Sequence, residues 1–364
     1  MIYLDYQATT PLAPEALDAM LPWLKDQHAN PHSAHRPGRA AKAAVEVARQ
    51  EIAALLPPGG RVVFTSGATE ALNWAIKGTA APIITLATEH AAVLDTATAE
   101  DRTGRTITIL PVGHDGLVDL ATARAAIGGS GGGGGLVAAM LVNNEIGVIQ
   151  PIAALADLAH AAGMLFLCDA VQGYGRAPIP PNADLVALSA HKIHGPKGVG
   201  ALWIRDGVRL DPLLHGGDQE GGRSGTLSPA LCAGFGAAAR LMRGRADADA
   251  AHVARLWALA VERLDGWTIN GSTAHRYPGN LNLRRPGLDV GRLMSDCRDI
   301  AFSAGSACAS GSGRPSHVLR ALGLTDAAAR SSIRLGFGRY TTEADLTGAL
   351  DRIDAAARAQ QAIP

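Results

Sequence analysis

Short apolar segments alternate with amphipathic segments between residues 62 and 204. Apolar runs of strand length, such as residues 136–142, are typical of strands buried on both faces of a sheet. The segments between them, such as residues 152–162, have the length and the apolar period of helices. Strands that alternate with helices form βαβ units. The pattern therefore predicts an α/β fold around a mostly parallel sheet.

The pattern changes after residue 229. A long helical stretch over residues 229–264 leads to predicted strands at 277–283 and near Ile300, followed by helices at 319–323 and 343–357. This order predicts a smaller α+β domain.

A chain of 364 residues is long for one hydrophobic core, so we expect two domains. We assign residues 12–245 to a large domain. Residues 1–11 and 246–364 are assigned to a small domain.

Polar residues follow the ends of four predicted strands, namely His90, Asn144, Asp169 and Lys192. Ligands of open α/β sheets bind at the carboxyl ends of the strands, so we expect these residues to meet there. Burial favours the neutral amine of a lysine, which can then act as a nucleophile. A Schiff-base lysine with an aspartate partner for a pyridinium nitrogen is what pyridoxal phosphate chemistry requires. A structural ion pair between Asp169 and Lys192 and a structural role for His90 are the alternatives.

Residues 66–69, with the sequence SGAT, join a predicted strand to a predicted helix. Free backbone N–H groups and the positive end of the helix dipole make such a junction an anion site. The segment has neither Walker nor G-x-G-x-x-G spacing, so a nucleotide is not indicated. An ordinary helix N-cap is the alternative interpretation.

Two residues of the C-terminal region suggest further chemistry. Cys308 lies among Gly, Ser and Ala in residues 301–315, which predicts an exposed thiol that acts as nucleophile or redox group. Arg334 lies on a predicted strand and can bind a substrate carboxylate through two parallel hydrogen bonds. A surface salt bridge is the alternative role for Arg334.

Composition excludes several classes of protein. Lys plus Arg and Asp plus Glu both number 33, so no charge excess favours nucleic acid or an anionic membrane. The sequence has no spanning apolar run and no signal peptide at its start, so we expect a cytoplasmic protein. The four cysteines lack C-x-x-C spacing, and Pro31 breaks the alignment of His28, His32 and His35, so we expect no metal site. The glycine-rich residues 128–135 are assigned no functional role.

Nine motifs together resemble the cysteine desulfurases of the IscS/NifS type, which belong to the class V aminotransferase family. The resemblance extends over nearly the whole chain. The motifs are LDYQATTP (4–11), FTSGATE (64–70), TEH (88–90), VNNEIG (142–147), DAVQ (169–172), SAHKIHGPKG (189–198), RSGT (223–226), GSACAS (305–310) and SSIR (331–334).

The resemblance implies a pyridoxal-phosphate enzyme of fold type I that converts L-cysteine to L-alanine. Lys192, His90 and Cys308 would be catalytic, and Cys308 would receive the sulfur as a persulfide. Arg334 and Asn30 would bind the substrate carboxylate. The cofactor-binding residues would be Lys192, Ala68, Thr69, His90, Asn144, Asp169, Gln172, Ser189, His191 and Thr226.

The resemblance also implies partners. Thr226 would reach the cofactor phosphate of a second subunit, so a homodimer is expected. The persulfide sulfur would pass to an acceptor or scaffold protein for iron–sulfur cluster assembly or thio-modification. A selenocysteine lyase, or another class V enzyme on the same scaffold, is the alternative function.

Overall fold

The computed structural model describes residues 1–79, 82–130, 134–305 and 315–361. The strands are β1 (Ile2–Tyr3), β2 (Gly60–Thr65), β3 (Ile83–Leu86), β4 (Ile107–Leu110), β5 (Leu136–Met140), β6 (Leu165–Asp169), β7 (Leu185–Ser189), β8 (Gly200–Arg205), β9 (Thr268–Ile269), β10 (Asn280–Arg284), β11 (Ile300–Ala301), β12 (Ser303–Ala304) and β13 (Ser332–Gly336). The helices are α1 (Pro14–Lys25), α2 (Arg36–Ala53), α3 (Ala68–Lys77), α4 (Ala91–Asp101), α5 (Leu120–Gly128), α6 (Ile152–Ala161), α7 (Pro229–Val261), α8 (Val290–Asp296), α9 (His317–Ala321), α10 (Asp326–Arg330) and α11 (Glu343–Gln361).

The predicted mostly parallel sheet is confirmed. Seven strands pair in the order β2-β8-β7-β6-β5-β3-β4, and β8 alone runs against the other six. The connection from β7 to β8 contains a 3-10 helix and a turn at Gly198, whose φ is +84°. Such a short connection returns the chain antiparallel, because a parallel neighbour would need a longer crossover.

The sheet is covered on both faces, as its apolar strands predict. Every residue of β5 and of β7 is buried. One hydrophobic core packs residues such as Phe166 and Trp203 against α2, α6 and α7. The other face packs Leu167 and Leu202 against α3. Because both faces are closed, the carboxyl edge of the parallel strands is where polar side chains meet.

A separate hydrophobic core lies around the antiparallel sheet β12-β13-β10-β9. Leu281 and Leu335 of this sheet pack with Leu346 of α11. The long helix α7 contributes Met242 to the core around Phe166 and Val253 to this one, so it connects the two. A core of its own around the smaller sheet is consistent with a second domain, although the assigned boundary after residue 245 remains a prediction.

The predicted strand ends are confirmed at two candidate site residues. Asp169 ends β6. β7 ends at Ser189, and Lys192 lies in the 3-10 helix that follows it. The strand predicted from residue 277 begins at Asn280, since Pro278 has no N–H to donate to a neighbouring strand.

Among the described residues, no helix combines the length and the apolar character that crossing a bilayer requires.

Glu220 connects the loop over residues 216–226 to α2 and β2 through an ion pair and hydrogen bonds. Its carboxylate accepts hydrogen bonds from Arg49 Nη1 and Nη2 at 2.8 Å each and from Phe64 N at 2.8 Å. We expect Glu220→Ala to lower the free energy of unfolding by about 3 kcal/mol, because it removes the buried carboxylate that pairs with half-buried Arg49 and leaves the buried N–H of Phe64 without its acceptor. Urea denaturation followed by circular dichroism measures the change.

Glu46→Ala is the matched control, because Glu46 pairs with the same arginine but its side chain is 47% exposed. We expect that variant to lose less than about 1 kcal/mol. Equal losses in the two variants would contradict the interpretation.

Candidate active site

A cavity of about 560 Å³ lies at the carboxyl edge of the parallel strands. Ten of the thirteen predicted site residues line it. They are Ala68, Thr69, His90, Asn144, Asp169, Gln172, Ser189, His191, Lys192 and Arg334.

The other three predicted residues lie elsewhere. Asn30 and Thr226 are exposed and do not line this cavity. The side chain of Asn30 instead accepts a hydrogen bond from His32 N. Cys308 lies outside the described residues.

Lys192 is held at the cavity by backbone carbonyl groups. Its Nζ donates to the carbonyl oxygen of Gln7 and, at 2.8 Å, to that of Ala8. The N-terminal segment thereby forms one wall of the cavity. Sequence reasoning missed this contact because backbone carbonyls leave no signal in residue type.

Asp169 is buried, with 5% exposure. Burial raises its pKa from 3.8 to about 6, although a hydrogen bond from Val171 N and the charge of Lys192 both lower it. A carboxyl group in this position favours a cationic partner, because a nearby positive charge restores its ionised form. The cavity beside it provides space for such a partner.

Glu89 lies beside Asp169 and was not predicted as a site residue. The side chain is fully buried, Oε1 accepts a hydrogen bond from Met140 N at 2.9 Å, and Oε2 has no hydrogen-bond partner. Burial, together with the charge of Asp169, raises the pKa of Glu89 well above its ordinary value. Burial therefore favours the neutral form of Glu89 beside the carboxyl group of Asp169.

The two histidines of the cavity are neutral. His90 caps α4, since its Nδ1 accepts a hydrogen bond from Ala92 N at 3.1 Å. Burial lowers the pKa of His90, and the charges of Lys192 and His317 lower it further. Burial and the charges of Lys192 and Lys197 lower the pKa of His191 to about 4. Uncharged imidazole rings present flat faces and hydrogen-bonding nitrogens without adding charge.

The start of α3 carries the predicted anion site. Its N-cap, Gly67, has no side chain to satisfy the first N–H groups of the helix. Glu70 accepts a hydrogen bond from Ser66 N at 2.7 Å and pairs with Arg223 at 2.7 Å. No side chain therefore caps this helix at its N-cap, and Gly67, Ala68 and Thr69 at its start line the cavity.

Arg334 is not a surface arginine, since its side chain is 1% exposed. It donates to Asp5 Oδ1 at 2.8 Å, to Ser303 Oγ at 3.3 Å and to the carbonyl oxygen of Asn144 at 3.1 Å. Its Nε is buried without a hydrogen-bond partner. The ion pair with Asp5 fixes the guanidinium at the cavity, where it can bind an anionic group of a substrate.

These features together fit a planar, positively charged ring that bears an anionic group. Asp169 provides the anion for the ring, and the start of α3 provides N–H donors for the anionic group. The buried Oδ1 of Asn144 has no hydrogen-bond partner and can accept a hydrogen bond from the ring's substituents.

The fold and this cavity define an α/β enzyme whose ligand site lies at the carboxyl edge of a mostly parallel sheet. The family model described as aminotransferase class-V matches residues 2–348, so the chain belongs to that family.

Two curated relatives and one solved structure show how close the likeness is. The mitochondrial cysteine desulfurase of Saccharomyces cerevisiae is 46% identical over 95% of this chain and 72% of its own length. Cysteine desulfurase IscS of Rickettsia bellii is 42% identical over 97% of this chain and 90% of its own length. A structure titled NifS-like protein superposes with a TM-score of 0.89 and 31% identity, covering 97% of this chain and 98% of its own.

Asp169→Asn should stabilise the ligand-free protein above about pH 6. Because burial raises the folded-state pKa above the unfolded value, ionisation of Asp169 weakens the folded state as the pH rises from 3.8 to about 6. The asparagine removes this effect, so we expect a gain of about 2 kcal/mol in the free energy of unfolding near neutral pH and little gain near pH 4. Urea denaturation at both pH values measures it.

The control for this prediction is Asp18→Asn, which changes an exposed carboxylate of α1. An equal change in the free energy of unfolding for Asp169→Asn and Asp18→Asn near neutral pH would contradict the prediction. It would mean that ionised Asp169 does not destabilise the folded protein.

Proposed function

We propose that the protein is a pyridoxal-phosphate-dependent cysteine desulfurase, which converts L-cysteine to L-alanine and transfers the sulfur to Cys308. The observation that carries the proposal is the cavity that brings buried Asp169 together with Lys192 and Arg334. Family membership and relatives named cysteine desulfurase support the same function.

Pyridoxal phosphate is a flat pyridinium ring with a phosphate group, and the residues of the cavity fit it. Lys192 would hold the cofactor covalently, Asp169 would pair with its ring nitrogen and His90 would stack on the ring. Asn144 and Gln172 would bind the ring substituents. Ala68, Thr69, Ser189 and His191 would hold the phosphate, with Thr226 contributed by a second subunit. When bound, the cofactor withdraws electrons from the Cα atom of the substrate.

The protein's own groups carry out the remaining chemistry. Arg334, which lines the cavity, binds the carboxylate of L-cysteine and orients it. Lys192 removes the Cα proton and later returns a proton to the product. The Cys308 thiolate attacks the substrate sulfur, so that an S–S bond forms while the Cβ–S bond breaks. The electron pair of the broken Cβ–S bond stays with the substrate carbon, which is protonated to give alanine. Cys308 keeps the sulfur as a persulfide.

The proposal includes three further elements. The enzyme acts as a homodimer, because Thr226 belongs to the site of the other subunit. The persulfide passes to an acceptor or scaffold protein that serves iron–sulfur cluster assembly or thio-modification. A cytoplasmic location, where thiols stay reduced, suits a protein that carries a persulfide. A selenocysteine lyase needs no thiol at position 308, so Cys308 favours the desulfurase.

Substitution of Cys308 or Lys192 should abolish turnover for different reasons. Wild-type protein with L-cysteine and a reductant should release alanine and sulfide in equal amounts. Cys308→Ala and Lys192→Ala should both release close to none. Cys308→Ala should keep the cofactor absorbance, since Cys308 takes no part in holding the ring. Amino-acid analysis and a sulfide assay measure the products.

Cys297→Ala is the control, since Cys297 is buried in the core around Leu281 and should be dispensable for turnover. Normal turnover of L-cysteine by Cys308→Ala would exclude this thiol as the sulfur acceptor and favour the lyase. A wild-type protein that binds the cofactor but leaves L-cysteine intact would exclude the desulfurase.

Arg334→Lys tests carboxylate binding. Lysine keeps the positive charge but loses the planar fork that binds a carboxylate through two hydrogen bonds. We expect KM for L-cysteine to rise about tenfold, with a much smaller change in kcat, because the lost contact holds the substrate rather than the reacting atoms.

Arg284→Lys is the matched control on the neighbouring strand β10, outside the cavity. It should leave KM unchanged. An unchanged KM in Arg334→Lys, with the fold intact by circular dichroism, would mean that Arg334 serves only the ion pair with Asp5.

A further inference from the structure

A second cavity, of about 300 Å³, lies where α7 passes from one hydrophobic core to the other. Met242 of the first core and Val253 of the second both line it. It shares no lining residue with the main cavity. Small-molecule sites are common at such junctions between cores, and this volume is at the lower end of their usual range.

Arg176 provides a positive charge at the wall of this cavity. Its Nη2 donates to the carbonyl oxygen of Lys192 at 2.5 Å and its Nη1 to that of Gln172 at 3.3 Å. The guanidinium also lies over the ring of Tyr277, 5.4 Å from its centre. It forms no ion pair within the described part of the chain. Since an arginine has five N–H donors, Arg176 retains donors for an anion.

The other charged groups of the cavity are already balanced or hydrated. The Arg339 side chain is 4% exposed, and it pairs with Asp249 through Nε at 2.9 Å. Asp249 also pairs with Arg245 at 3.3 Å, just outside the cavity. Asp247 is exposed to solvent at the rim. Arg176 therefore remains available to a bound anion, and the Nη1 of Arg339, which is buried without a hydrogen-bond partner, offers a second donor.

The rest of the wall suits an organic body rather than a bare inorganic ion. Tyr6, Tyr277 and Val253 supply aromatic and aliphatic surface. His194 supplies a hydrogen-bond acceptor, because its Nδ1 donates to the carbonyl oxygen of Pro11 at 3.0 Å and leaves Nε2 unprotonated. Burial and the charges of Arg176 and Arg339 lower the pKa of His194 to about 3, which keeps the ring neutral.

We propose that this cavity binds a small organic carboxylate with an aromatic or aliphatic body, and that its carboxylate accepts hydrogen bonds from Arg176. The inference does not depend on the proposed function. Arg176 also connects the two cavities, because it donates hydrogen bonds to the carbonyl groups of Gln172 and Lys192, and both of these residues line the main cavity.

A fluorine NMR titration with 4-fluorobenzoate, on the intact protein purified with its cofactor, tests the proposal. We expect saturable binding to the wild type. Ala250→Phe should weaken binding at least about tenfold, since Ala250 lies at the exposed edge of the cavity and a phenyl ring fills it. Ala248→Phe is the matched control, because Ala248 is exposed on the same helix but does not line the cavity.

Two more variants locate the bound probe. Arg176→Gln should also weaken binding about tenfold, because a charge-assisted pair is lost. Arg334→Gln should leave it unchanged, because Arg334 serves the main cavity. The proposal is overturned if the wild type does not bind the probe at millimolar concentration. It is also overturned if Ala250→Phe binds as well as Ala248→Phe, or if Arg334→Gln abolishes binding.

Discussion

The candidate site depends on a carboxyl group that is buried at the end of a central strand. Asp169 closes β6, which lies in the middle of the sheet with hydrophobic cores on both faces. A hydrogen bond from Val171 and the charge of Lys192 offset part of the loss of water, and burial still raises the pKa to about 6. A cation in the adjacent cavity would favour ionised Asp169, so ligand binding stabilises the folded protein.

The N-terminal segment contacts two functional residues of the site. The carbonyl groups of Gln7 and Ala8 accept from Lys192, and Asp5 pairs with Arg334. Asp5 also forms an isolated bridge with Gly336 of the second sheet. The chain's first residues therefore contact both the cofactor lysine of the proposed mechanism and the sheet that carries Arg334. This arrangement sets the position of one functional group relative to the other.

Neutral groups limit the charge inside the cavity. Burial lowers the pKa of His90 and of His191 and raises the pKa of Glu89, so it favours the uncharged form of all three. Asp169 is then the carboxyl group that a cationic ring can pair with, while Lys197 and Arg334 provide positive charge for anionic groups. The charge of the second cavity is limited as well, because Arg339 is paired with Asp249 and Arg176 is left without a charge partner among the described residues.

The apolar pattern of the sequence determined the mostly parallel sheet and placed His90, Asn144, Asp169 and Lys192 at one edge of it, and the family resemblance implied the other six predicted residues that line the cavity. Uninterrupted apolar runs can be buried only as central strands, and the polar residues that follow them must meet at one edge. The tertiary structure decided what residue type does not encode. The contacts of Lys192 use backbone carbonyls, and the neutrality of Glu89 follows from burial beside Asp169. Arg334 could be surface or buried by sequence alone, and the packing of β13 against β10 and β12 placed it inside. Such properties depend on distance and exclusion of water, which exist only once the chain is folded.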